Sequence, residues 1–182
     1  MTEVPEADRS VGMLVYGTTG EPCAGKAKSA DEDFEVSEKI DIRGMVPEKR
    51  EGYFPVYRVE KRSIDTLHLE REVSSALKSR VSFGGLKDKR SASVQYFTPT
   101  STRARAPEEL NGERYSARVV GYVPSPMMRS AVLGNEFRIV LRGCCPGVGQ
   151  RASEAFAAAR EKRMPNFYGM QRFGARGSSH RV

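Results

Sequence analysis

Two-residue alternation of apolar and polar side chains does most to limit the folds open to this chain. Phe34-Glu35-Val36-Ser37-Glu38-Lys39-Ile40 alternates apolar and polar residues, the pattern of a half-buried strand. Tyr53, Pro55, Tyr57 and Val59 repeat it, with Pro55 placing that segment at a strand start or sheet edge. Val81-Ser82-Phe83 and residues 91–98, 115–123 and 136–141 read as further strands, giving about six. Two stretches break the rhythm. Leu69, Val73, Ala76 and Leu77 fall on one helical face, behind Asp65 or Thr66 as the cap. Ala152, Ala155, Phe156 and Ala159 mark a second helix over about residues 148–163, stopped by Pro165. Residues 1–12 read as an N-terminal arm, and residues 41–52 and 99–107 as solvated loops. The expectation is an α+β domain over residues 13–182, a mostly antiparallel mixed sheet with helices packed on one face.

A chain of 182 residues with 38% hydrophobic side chains can bury one ordinary core. Its formal net charge of +7 favours nucleic acid or an anionic membrane as partner, although a lysine-rich soluble surface gives the same balance. No apolar run approaches the ~20 residues of a spanning helix, so a membrane is not expected. The first dozen residues are acidic and polar, with no hydrophobic signal region, so the cytoplasm is the expected compartment. Cys23, Cys144 and Cys145 form no C-x-x-C pair, and the cysteine pattern fits a reducing compartment. With two histidines besides, no metal site is expected.

The chemistry-bearing stretch is Phe83-Gly84-Gly85-Leu86-Lys87-Asp88-Lys89-Arg90. One carboxylate stands between two lysines after a Gly-Gly pair, where a backbone can turn tightly or approach a ligand. Flanking cations stabilise an ionised acid and attract phosphate. Asp88 is therefore a candidate nucleophile or general base facing a polyanion; a charged hairpin turn is the plainer alternative. If side chains alternate here, Lys87 and Lys89 face phosphate on the side away from Asp88. The string is not a phosphate loop, because the Walker spacing is missing. Pro165-Asn166-Phe167-Tyr168-Gly169-Met170-Gln171-Arg172-Phe173-Gly174 packs aromatics, Asn166, Gln171 and Arg172 between glycines. Such a loop stacks bases and bonds their edges, or is a turn pinned by buried aromatics. In Leu133-Gly134-Asn135-Glu136-Phe137, Asn after Gly suits a left-handed turn, and Phe137 alone reads as core. Lys28, before the acidic run Asp31-Glu32-Asp33, is a salt-bridge partner or plain surface. Consecutive carboxylates point in alternate directions, which argues against a metal-dependent nuclease.

Taken in order, these motifs resemble the TruD family of tRNA pseudouridine synthases. That family shows P-E-D-F-x-V-x-E, then a G-x-K-D segment closed by Gln, then G-N-x-F, then P-N-x-x-G-x-Q-R-F-G. The counterparts are residues 31–38 (Asp31 in place of Pro), 85–95, 134–137 and 165–174. Ser93 stands where Thr is frequent, and Phe167-Tyr168 where Tyr-Phe is usual. Ser10-Val11-Gly12-Met13 also looks like archaeal members. Family chains continue well past this point, so residues 13–182 would be the N-terminal part of the catalytic domain, ending before the family's inserted domain. The chain is then a fragment or a truncated relative.

The resemblance implies isomerisation of a tRNA uridine to pseudouridine, with tRNA as partner and neither cofactor nor metal. It implies Asp88 as the catalytic carboxylate, Lys28 as the cation beside it, Phe137 stacking on an extruded base, and Asn135 bonding RNA or setting the turn. Lys87, Lys89, Arg90, Asn166, Gln171 and Arg172 are the implied RNA contacts, with Arg103 and Arg105 adding charge. A non-catalytic RNA-binding module is the alternative. Nothing in the pattern fixes the modified uridine or an oligomeric state.

Overall fold

The structure is a computed structural model, and it describes residues 4–14 and 25–162. Among the described residues seven strands form one sheet: β1 (Phe34–Ile40), β2 (Phe54–Arg62), β3 (Val81–Phe83), β4 (Ala92–Pro99), β5 (Glu109–Asn111), β6 (Tyr115–Val123) and β7 (Val132–Ile139). Among the described residues the α-helices are α1 (Glu6–Arg9), α2 (Thr66–Leu77) and α3 (Val148–Lys162). The sheet and α2 belong to one compact unit, Lys26–Arg142; α1 and α3 belong to the other.

The strand order is β5-β6-β2-β4-β1-β7, with β3 beside β4. Every pairing is antiparallel except β1 with β4. The mixed, mostly antiparallel α+β sheet expected from the alternation is therefore present. The parallel pair has a physical consequence: it sets the start of β1 beside the start of β4, Glu35 opposite Ala92. The segments that precede these two strands, with Lys28 and Asp88, thus emerge at one end of the sheet.

Asp65 caps α2 by accepting the His68 N–H at 2.9 Å, and Lys78 closes it in a left-handed conformation. Leu69, Val73 and Leu77 are fully buried in a cluster with Tyr57, Val59, Phe97, Tyr115 and Ala117. Each such side chain contributes about 1.5–3 kcal/mol through burial, so α2 and the β2–β4–β6 face anchor the unit.

Three expectations need correction. β7 begins at Val132, so Gly134 and Asn135 lie in a strand opposite Lys39 and Glu38 rather than in a turn. The strand β5 had no counterpart in the sequence reading; three residues are too few for periodicity to show. Cys145 is disulfide-bonded, which the reducing-compartment reading did not anticipate.

Candidate active site

The loop between β3 and β4 carries Asp88, and its backbone is fastened from inside the protein. Gly84 lets it pass close to β1 and β7: a Cβ there would overlap the Val132 side chain and stand 3.1 Å from Glu38 Oε1. Neither Gly84 nor Gly85 adopts a left-handed conformation, so close approach, not turning, is what Gly84 provides. Gln95 Nε2 donates to Gly85 O at 2.7 Å, and Lys87 N donates to Thr66 Oγ1 at 2.8 Å. Lys61 Nζ donates to Asp88 O at 2.7 Å, and Ser91 Oγ donates to the same oxygen at 2.7 Å. Against this fixed backbone the Asp88 side chain is 61% exposed.

Lys28 meets that carboxylate as an ion pair on Oδ2. Its backbone is left-handed, φ 56°, a strained setting for lysine. The surroundings hold it there. Arg90 Nη2 donates to Lys28 O at 2.8 Å, and Lys28 Nζ sits 4.0 Å from the centroid of the Phe34 ring. The segment is pinned further along by Asp33, which is buried and accepts Arg142 Nε and Nη2 at 2.7–2.9 Å and Ala30 N at 3.0 Å. The Arg142 guanidinium, helped by the Ala30 N–H, holds the Asp33 carboxyl at about 2. Backbone bonds between Lys26 and Arg142, 2.9 and 3.0 Å, complete the clasp.

From Lys28 the site opens toward β7. Phe137 lies 6.1 Å from Phe34, ring to ring, and is 56% exposed. Asn135 is exposed two residues away on the same strand. Asp88, Lys28, Phe34 and Phe137 therefore form a continuous chain of contacts: carboxylate, cation, ring, ring. Lys89 is exposed on the Asp88 loop.

Lys87 departs from its expected place. Its side chain is 7% exposed and pairs with buried Glu38 at 2.8 Å, so it is part of the interior and does not face phosphate. Side chains do not alternate here, because the loop precedes β4 and is not an extended strand. Arg90 is exposed yet committed to the Lys28 carbonyl. Asn166, Gln171 and Arg172 lie outside the described residues.

Glu38, Lys61, Asp33 and Arg142 were missed as parts of the site. Lys61 had a readable signal: it follows Tyr57 and Val59 at two-residue steps, on the inward side of β2. Asp33 and Arg142 are 109 residues apart and had none. Asp31, Glu32 and Asp33 indeed diverge, to Ser63, Arg62 and Arg142. Among the described residues no group of potential metal ligands converges, and no helix is long and apolar enough to cross a membrane. Two small cavities, about 130 and 240 Å³, lie along β2 and β6 near Glu60 and do not include Asp88. The carboxylate is presented on an open surface that a large substrate can reach.

Comparison with known proteins bears on the family and the fold. The family model described as tRNA pseudouridine synthase D (TruD) matches residues 10–182. The chain is 37% identical over 175 residues to a protein of Archaeoglobus fulgidus named "Probable tRNA pseudouridine synthase D", covering 92% of this chain and 40% of that one. A protein of the same name from Pyrobaculum neutrophilum is 36% identical over 187 residues, 96% of this chain and 43% of that one. Among solved structures, a putative tRNA pseudouridine synthase D from Methanosarcina mazei superposes with a TM-score of 0.80 at 26% identity, over 96% of this chain and 40% of that one. The chain thus spans about two fifths of the length of the relatives it matches.

Proposed function

Because this chain belongs to the TruD family of tRNA pseudouridine synthases, we propose that it forms the part of such an enzyme that carries the catalytic carboxylate, Asp88. The substrate is a uridine in tRNA. The observation that carries the reading is an aspartate with a rigid backbone and a free outer face. Asp88 Oδ2 is occupied by Lys28, while 61% of the side chain stays accessible.

In the reaction the C1′–N1 bond breaks, the uracil turns, and a C1′–C5 bond forms. C5 loses its proton and N1 gains one, so the product is an isomer and no redox partner is consumed. An ionised carboxylate beside the ribose serves as nucleophile or as base toward a sugar proton. Lys28 supports the anion and orients it. A uridine stacked in a helix is out of reach, so it is extruded toward the site. The exposed ring of Phe137 offers the extruded uracil a stacking surface, and Asn135 beside it offers hydrogen bonds. Lys89 supplies charge for the phosphate backbone on the same loop.

Release of tritium from [5-³H]uridine in tRNA tests the assignment. Asp88→Asn, nearly isosteric, is expected to abolish release while tRNA affinity changes by less than about threefold, since phosphate contacts dominate affinity. Full turnover by that variant would overturn the assignment. The limited coverage of the relatives favours a second reading, that this chain alone binds tRNA without turning it over; it predicts salt-sensitive binding and no release with either residue at 88.

A further inference from the structure

Lys61 is 1% exposed, and among the described residues its ammonium has no carboxylate in hydrogen-bond contact, a rare state for lysine. Its Nζ donates to two main-chain carbonyls, Asp88 O at 2.7 Å and Ile64 O at 2.8 Å. Asp88 O also accepts Ser91 Oγ at 2.7 Å, and Ser91 Oγ is 2.7 Å from Ser93 Oγ. Both lone pairs of that carbonyl are filled, one by a buried ammonium and one by a buried hydroxyl. An uncharged donor would satisfy a carbonyl without the penalty of burying a charge. The ammonium sits beneath the loop residue whose carboxylate pairs with Lys28.

We propose that Lys61 is a positioning residue for the reaction: by holding the Asp88 carbonyl from inside the sheet, it fixes the main chain from which the carboxylate meets Lys28 and the substrate. The proposal rests on Asp88 as the catalytic group. Its electrostatics are consistent with the geometry. Burial pulls the Lys61 ammonium down to about 8, Lys87 acts in the same direction, and Asp31, Asp88 and Asp65 act against them. At neutral pH Lys61 is charged and its bonds to the two carbonyls are charge-assisted. Above about pH 8 it becomes a neutral amine and the clamp weakens.

The test compares Lys61→Met, Ser91→Ala and the double variant with wild type, by tritium release and by amide hydrogen exchange. Lys61→Met is expected to lower kcat by about 100-fold, the scale of a misplaced catalytic group, with KM changed by less than about threefold. Ser91→Ala removes the weaker donor and lowers kcat by about three- to tenfold. The double variant should be no worse than Lys61→Met, because both act on one carbonyl. Wild-type kcat should decline above about pH 8. Exchange at residues 87–91 should quicken by about tenfold in Lys61→Met, with β6 unchanged. A folded Lys61→Met with wild-type kcat, or with KM raised in place of kcat, overturns the proposal. Unchanged exchange in residues 87–91 overturns it even in a chain without turnover. Should Lys61→Met fail to fold, an unaltered kcat and unaltered loop exchange in Ser91→Ala overturn it instead. Asp88→Asn, run alongside, separates the two claims: retained turnover there removes the assignment of Asp88 and with it the positioning role, whereas loss of turnover in Asp88→Asn with wild-type kcat in Lys61→Met removes the positioning role alone.

Discussion

One row of side chains crosses the sheet from β6 to β7: Tyr115, Lys61, Ser93, Val36 and Phe137, each paired with the next. The first four are between 1% and 9% exposed, and the last is 56% exposed. The same face therefore has a covered half and an open half. Under α2 it is packed with Leu69, Val73 and Leu77. Along β7 it presents Phe137 and Ile139 to solvent. Asp88 belongs to both: its backbone is fastened by the covered half, and its carboxylate pairs with Lys28, which borders the open one through Phe34. On the proposed function, stability and chemistry are divided across a single register. A residue's place in the row indicates which of the two a substitution should damage.

The largest expected effect falls on chemistry alone. Asp88→Asn should eliminate tritium release while leaving the melting temperature within about 2 °C, because an exposed ion pair adds little to stability. Conversely, the covered side should show its weight in folding. Glu38→Gln leaves the Lys87 ammonium buried without its counter-charge. It should cost about 3–5 kcal/mol in urea unfolding, as breaking a buried pair does. Equal stability of that variant would mean that the Asp88 loop is not anchored there.

The clasp between the two halves has a pH signature. The Asp33 carboxyl, ordinarily near 3.8, is held at about 2 by Arg142 in the folded protein. A lowered folded-state value means stability that is complete above 3.8 and lost as pH falls toward about 2. Urea midpoints measured across that window should decline for wild type and flatten for Asp33→Asn. The smallest stability effect belongs to Phe137→Ala, expected within about 0.5 kcal/mol of wild type. Its tritium release should nevertheless fall by about tenfold or more if the ring stacks on the base. A large loss of stability in this variant would erase the distinction between the halves.

Sequence periodicity anticipated the elements built by period-two and period-3.6 burial. β1 appears with its expected bounds, and α2 with its buried stripe and its Asp65 cap. The motif order was equally readable, and the structure brings Lys28, Asp88 and Phe137 together from three separate stretches. What escaped was whatever depends on a partner distant in the chain. Lys87 looks like a surface cation until Glu38, 49 residues away, lies beneath it. Asp33 looks like one of three equivalent acids until Arg142 closes on it. Asn135 follows a glycine and suggests a turn, yet pairing with β1 extends it. Ion pairs and strand edges of this sort leave no local pattern, because the energy that selects them is tertiary.

Amide hydrogen exchange of the wild-type chain, with and without tRNA, tests the division most directly. The account predicts slow exchange in β2, β4 and α2 in the free protein, and new protection on adding tRNA in residues 26–34, 84–91 and 132–139, with β5 and β6 unchanged. Protection confined to β5 and β6, or none around Asp88 and Phe137 while tRNA is bound, would contradict it.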